Sequence, residues 1–415
     1  MRAAFERMSI PAVLAAFCMI FCAIQPVRAA EPINIGVIAF ASPAPGQSIF
    51  DAAKLAAEEI NAKGGINGRP VKLFVYDDHG KSADAVEAFQ RAVYSDHVVA
   101  VVGVWISEAA LALEPWAARL HTPLIITGAA STKISELVHQ NYDTYKYNFQ
   151  LQLNSDQLAR SVADFLGSKM FKKLGYKTAY IASENFDWTK SLDEAYMKYL
   201  PAAGVKVVGH VRFSPDTNDF TPIFSMIEKK HPDIVVTGWA HVGVKPTVQW
   251  HEQQVPVLLA GINAQASTSS FWAATNGATE GVLSQNEASE APITPKTLPF
   301  VKAYKEKFGA SPAYCGYNTY DAMYILDKAI ERAHSTKGDQ IASALEKTNY
   351  LGVQGRIAFE GKNSPYAHSI KYGPKYVLGT QAQWQNGKLV TIWPKKAATG
   401  SLIIPEFVKQ KRAAE

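Results

Sequence analysis

The sequence predicts an α/β protein built as two lobes with parallel sheets. Three observations carry that expectation. Short apolar runs alternate with helix-period segments, which is the trace that β-α-β units leave. The alternation restarts after about residue 150, so two similar units stand in tandem. The 415-residue chain is 47% hydrophobic and 19% charged, a packed composition long enough for two cores. It excludes a disordered or fibrous chain. The net charge of +5 comes without a basic run, so nucleic acid is not an expected partner.

The first 29 residues read as a secretory signal peptide. Arg2 and Arg7 precede an apolar run from Ile10 to Ile24, and Val27-Arg28-Ala29 offers small residues for cleavage. Cys18 and Cys22 leave with that segment. Each follows a bulky Phe, which makes a poor lipid-attachment site. Cys315 then stands alone, so no internal disulfide is expected and the fold must rest on its core. No later stretch reaches the roughly 18–20 apolar residues of a membrane span.

In the first unit, Ile33–Phe40 reads as a buried strand. A Pro/Gly loop follows. Ile49, Ala52, Ala53, Ala56 and Ile60 then share one helical face, which Gly64-Gly65 ends. Strands over Val71–Tyr76, Val98–Val102 and Leu124–Thr127 alternate with helices over Ala83–Tyr94 and Glu108–Arg119. In the second unit, strands at Thr178–Ala182, Val205–Phe213, Ile234–Thr237 and Val257–Ala260 alternate with helices at Gln157–Met170, Lys190–Tyr199, from Asn218 or Asp219 to Lys230, and up to Gln253. Leu298–Thr348 is mostly helical, with its clearest helix at Asn318–His334. Short strand signals follow at Arg356–Phe359, Tyr376–Leu378 and Leu389–Trp393.

Motifs for covalent chemistry are missing. The turn after the first strand, Ala41-Ser42-Pro43-Ala44-Pro45-Gly46, has no G-x-G-x-x-G, and its prolines lack backbone donors. Gly64–Arg69 is glycine-rich but follows a helix. There is no Walker A sequence, no H-E-x-x-H and no G-x-S-x-G. His231, His241 and His251 recur every ten residues, an interval that shares no helical or strand face, so no metal site is expected. Asp77-Asp78-His79 reads as a strand-end cap rather than an acid/base group.

Polar and aromatic residues do recur just past strand C-termini, where open α/β sheets bind ligands. The candidates are Trp105 and Ser107, Gly128, Ala130 and Ser131 in the first unit. In the second they are Phe186 and Trp188, Trp239 with His241, and Asn263. Each tryptophan has two readings, core packing or a wall of the crevice.

In order along the chain, several stretches resemble the type I periplasmic substrate-binding proteins of ABC transporters, in their branched-chain amino acid (Leu/Ile/Val-binding) class. They are Ile35-Gly36-Val37, the run from Ala56 through Asn61-Ala62-Lys63-Gly64-Gly65-Ile66-Asn67-Gly68-Arg69-Pro70, Tyr76-Asp77-Asp78, Asn218-Asp219-Phe220, Phe308-Gly309, Tyr320-Asp321-Ala322 and Gly355–Phe359. The resemblance spans about Ile33 to Trp393. It implies two Rossmann-like lobes joined by a three-strand hinge, near Tyr147–Leu153, Val282–Asn286 and Gly355–Phe359. It divides the chain into residues 30–149 plus 284–355 as one lobe and 150–283 plus 356–415 as the other. It also implies a monomer in the periplasm that captures a small polar metabolite, without cofactor or chemistry, and delivers it to an ABC permease. A ligand-sensing receptor for a signalling partner and an exported enzyme are the alternatives.

Carried onto this chain, the resemblance makes the loops at Ser107 and Gly128–Ser131 the holders of a ligand carboxylate and ammonium. Trp188 and Trp239 become aromatic covers. The chain departs from the family where Ala130 replaces a Thr, where Pro45 stands in the first loop, and where the neutral Asn263 stands near an expected acid. The three tryptophans suit an aromatic acid, a planar amide or a caged cation.

Overall fold

The computed structural model describes residues 31–42 and 44–409. The signal-peptide expectation lies outside the described residues. In chain order the first unit runs β1 (Ile33–Ala39), α1 (Ala44–Ala62), β2 (Val71–Asp77), α2 (Ser82–Tyr94), β3 (Ala100–Gly103), α3 (Ser107–Arg119), β4 (Leu124–Ile126), α4 (Thr132–Gln140), α5 (Tyr142–Tyr145) and β5 (Asn148–Gln150). Its five strands form a parallel sheet in the order β2-β1-β3-β4-β5.

The second unit runs α6 (Ser155–Leu166), α7 (Lys169–Lys172), β6 (Thr178–Glu184), α8 (Asp187–Ala202), β7 (Lys206–Phe213), α9 (Thr221–Glu228), β8 (Ile234–Trp239), α10 (Val244–Glu252) and β9 (Leu258–Asn263). Its sheet is parallel in the order β7-β6-β8-β9. The remainder is α11 (Phe271–Ala274), β10 (Leu283–Asn286), α12 (Thr297–Phe308), α13 (Tyr314–Ala333), α14 (Gly338–Leu345), β11 (Tyr350–Leu351), β12 (Arg356–Ile357), β13 (Thr380–Gln385) and β14 (Lys388–Trp393).

Both central sheets carry helices on two faces, so inner strands such as β3, β4 and β8 are buried along their length, while the edge strands β2 and β7 keep exposed positions. In the first sheet, Ile35 and Val37 face one core with Ile49, Ala53 and Ala56 of α1 and Met323 and Leu326 of α13. Ile38 and Val101 face a second core with Phe89 of α2 and Leu113 of α3. The second sheet buries Tyr180, Val235 and Leu259 against Phe224, Trp250 and Val408. The chain passes between the lobes three times: from β5 to α6, from β10 to α12, and from β12 to β13.

Several elements differ from expectation. The first loop is shorter, because α1 begins at Ala44 and takes Pro45 into its first turn, where a missing N–H does no harm. Gly46 is required there: a Cβ would sit 1.7 Å from the Phe40 carbonyl oxygen. α4 had no sequence expectation; Ser131, the last residue of the expected strand-end loop, caps it, accepting from the Lys133 N–H at 3.4 Å. Of Arg356–Phe359 only Arg356–Ile357 is a strand, pairing with Tyr350–Leu351. Ser369 and Ile370, not Gly355–Phe359, meet Gln150 of β5. Tyr376–Leu378 forms only a bridge through Val377 to Tyr372. β13 had no apolar signal, since its sequence is Thr-Gln-Ala-Gln-Trp-Gln. Gln381 and Gln383 are nevertheless buried between β10 and β14.

Candidate functional site

The strand C-termini of both sheets converge on a cavity between the lobes. It holds about 540 Å³ of atom-free space, open mouth included. Six of the ten sequence-predicted residues line it: Trp105, Ser107, Gly128, Ala130, Trp188 and His241.

Trp105 follows β3 and forms one wall. Its Nε1 donates to Tyr314 Oη at 2.8 Å, and that hydroxyl donates to the Gly128 carbonyl at 3.2 Å. The polar ends of both rings are therefore satisfied, and they offer apolar faces to a ligand. Gly128 permits this arrangement, because a Cβ there would lie 2.9 Å from the Trp105 Cα. Trp188, 8% exposed, stands opposite in the first turn of α8. Ser155 fixes the adjoining loops: its Oγ lies 2.9 Å from the Ala130 carbonyl and 2.7 Å from the Trp188 carbonyl.

The other four predicted residues lie outside the lining, each for a visible reason. Ser131 is fully buried. Its N–H donates to Ser107 Oγ at 3.1 Å and its own Oγ donates to Asp187 Oδ2 at 2.8 Å. Phe186 backs the site and stacks on His241 with ring centroids 4.0 Å apart. Trp239 ends β8 and packs into the second lobe's core, 2% exposed. Asn263 caps the 3-10 turn Ala264–Ser267, accepting from the Ala266 N–H at 3.3 Å.

Sequence reasoning missed four lining residues that matter: Glu108, Gln152, Glu287 and Tyr314. His241, a strand-end candidate beside Trp239 as well as one of three spaced histidines, does line the cavity. Its signal was its place two residues past a strand end. Its Nδ1 lies 2.8 Å from Glu184 Oε1, and its N–H donates to Glu184 Oε2 at 2.9 Å. Trp105 also meets this ring, tilted by 44° with centroids 5.1 Å apart. Glu287 directly follows β10, another strand end. It is 2% exposed and accepts from Gln152 Nε2, whose Oε1 accepts from Asn318 Nδ2 at 2.7 Å.

Burial pushes the Glu287 carboxyl up to about 7, against the lowering effect of its hydrogen bonds to its own backbone and to Gln152. The folded value lies above the unfolded one, so the folded chain holds a proton that the unfolded chain releases. Stability is therefore unaffected below the ordinary carboxylate range, declines as pH rises from there to about 7, and levels off above it. Asp321, pushed up to about 7 by burial, declines in the same window and remains as a background. Glu287→Gln removes one of these two contributions. Its melting temperature is expected to exceed the wild-type value increasingly from pH 5 to pH 8, by the equivalent of roughly 2–3 kcal/mol at the upper end. Equal pH profiles for the two proteins in thermal melts would refute that assignment.

Three groups of the first lobe converge on Asp187 of the second. Ser131 Oγ bonds Asp187 Oδ2, Lys133 Nζ lies 2.6 Å from Oδ1, and Glu108 Oε1 accepts the Asp187 N–H at 2.9 Å. This cluster joins the lobes beside the cavity, which Glu108 also lines. Among the described residues there is no group of three or more His, Cys, Asp or Glu placed to hold a metal ion.

Comparison with known proteins agrees with this layout. The chain is 27% identical over 378 residues to the Leu/Ile/Val-binding protein BraC3 of Rhizobium johnstonii, covering 89% of this chain and 95% of that one. It shares its fold with the branched-chain amino acid transporter substrate-binding protein LivJ of Streptococcus pneumoniae, solved with isoleucine, at a TM-score of 0.75 and 20% identity over 88% of this chain and 100% of that one. It also shares its fold with an ABC transporter solute-binding protein of R. palustris solved with benzoate, at a TM-score of 0.74 and 16% identity over 91% and 99% of the two chains. The family model described as periplasmic binding protein matches residues 32–371, so the chain belongs to the periplasmic binding protein family.

Proposed function

We propose that this chain is an exported solute receptor that captures a small metabolite with a planar or apolar body and delivers it to an ABC permease. The observation that carries the reading is the cavity itself. It lies between two lobes, has tryptophans on opposing sides, and draws its lining from strand ends of both sheets. Its lobes are residues 30–149 plus 284–355 and residues 150–283 plus 356–415, and its working place is the periplasm. No bond is made or broken in the ligand. Binding shifts the open–closed equilibrium, because only the closed state lets both lobes touch the solute. The relatives bind amino acids or aromatic acids by name, and a cavity walled by Trp105 and Trp188 suits either an apolar side chain or a ring.

Thermal melting across amino acids, aromatic acids, amides and amines tests the reading. A true ligand at a hundred times its Kd is expected to stabilise the protein by about 2.7 kcal/mol, a rise of a few degrees. The same ligand should compact the particle in solution scattering. A cavity that accepts nothing from the library, with an unchanging envelope, would end the receptor reading.

A further inference from the structure

The cavity's polar groups are unevenly matched. Glu108 uses one carboxylate oxygen, Oε1, to accept the Asp187 N–H, while Oε2 is buried and has no protein partner. His241 gives one ring nitrogen to Glu184, while its buried Nε2 has none. Glu287, almost fully buried, adds a second carboxyl to the lining. Among the described lining residues there is no Lys or Arg. If the His241 ring carries a charge, the buried Glu184 answers it directly. The nearest ammonium in this network, Lys133, is held on Asp187 outside the lining.

A carboxylate oxygen out of water with no donor is costly, and a solute that supplies the donor removes that penalty. The neutral ring in which Nδ1–H donates to Glu184 leaves Nε2 as a second acceptor. A site rich in acceptors and carboxyls, with aromatic faces on its walls, is complementary to a cation carrying N–H donors. A bare aromatic carboxylate would instead bring a negative charge beside Glu108 with no lining cation to receive it.

We propose that the ligand presents a protonated amine or amidinium to Glu108, which makes this receptor selective for solutes with a basic nitrogen over aromatic carboxylates that lack one. The inference rests on the receptor reading above. Glu108 then has two tasks on its two oxygens: one joins the lobes through Asp187, and the other meets the ligand charge. Closing the lobes and recognising a cation become the same event.

Calorimetry and thermal melting on the processed chain test this with matched probes: benzylamine and benzamidine against benzoate and benzamide, and phenylalanine against 3-phenylpropionate. The basic member of at least one set is expected to bind at least tenfold tighter than its counterparts. Glu108→Gln keeps an oxygen for the Asp187 N–H and removes the charge. It should weaken the basic probe ten- to hundredfold and benzamide by far less, so that the preference for the basic probe collapses while the apo melting temperature stays within a few degrees. Tighter binding of benzoate or 3-phenylpropionate would overturn the inference and leave the receptor reading standing, as would undiminished binding of the basic probe by Glu108→Gln. Silence from every probe while an unrelated solute from the wider library compacts the protein would do the same. Silence from both panel and library would remove both readings.

Discussion

Trp188→Ala is expected to raise the Kd for the cognate solute by about thirty- to a hundredfold, while the apo melting temperature falls by only a few degrees. A tryptophan ring offers 150–250 Å² of surface. If roughly half of it covers the ligand, about 25 cal/mol per Å² gives about 2–3 kcal/mol of lost burial. Trp188 sits in the first turn of α8, at the lobe boundary rather than beneath the sheet. When the lobes part, its cavity face returns to water, so the apo protein depends little on it. Its contribution to the backbone network survives the substitution, because Ser155 reaches its carbonyl and not its ring. Trp239 is the contrasting case. It is buried in the second lobe's core, and Trp239→Ala should lower stability by about 3–5 kcal/mol in both apo and bound forms. Calorimetry paired with melting separates the two residues. A large fall in apo melting temperature with a nearly unchanged Kd for Trp188→Ala would make that residue core.

That contrast also marks what the sequence could and could not reveal. The alternation of strands and helices was legible, because burying both faces of a parallel sheet forces continuous apolar runs such as Ile33–Ala39 and Ile234–Val236. Strand-end positions were legible too, so Trp105, Ser107, Gly128, Ala130, Trp188 and His241 were found by place alone. Chemistry at those places was not. Trp188 and Trp239 occupy similar places by local pattern, and only the relative position of the two lobes puts one in the crevice and the other in a core. Glu287 and Gln152 come from separate crossings of the hinge and meet only in three dimensions. β13 escaped notice because Gln381 and Gln383 are buried amides on one of its faces, which breaks up any apolar run. The acid sought near Asn263 is absent there, but Glu108 and Glu287 bring carboxyls to the cavity from two other strand ends.

Asp187→Ala should weaken ligand binding by about ten- to thirtyfold, chiefly by speeding release. The Asp187 side chain is 11% exposed and holds two partners from the opposite lobe, Ser131 Oγ at 2.8 Å and Lys133 Nζ at 2.6 Å. These bonds exist only when the lobes are together, so they bias the closed state whatever the ligand. Lys133 is 56% exposed, so solvent screens its attraction and the ion pair contributes about 0.5–1 kcal/mol. The hydroxyl bond to a charged acceptor adds about 1 kcal/mol. The backbone bond from Asp187 to Glu108 survives the change to Ala, so closure is weakened rather than abolished. The carboxyl titrates in a direction that can be read. Burial alone would raise its pKa, but Lys133 and Ser131 together hold it below the ordinary carboxylate range. A lowered pKa in the closed state means the contribution is fully present above the ordinary carboxylate range and is lost as pH falls through the depressed value. Wild-type affinity should therefore fall in acid by more than that of Asp187→Ala, and added salt should narrow the gap between them at neutral pH. Stopped-flow release rates identical in wild type and Asp187→Ala would mean that the latch holds nothing, and that closure rests on the ligand alone.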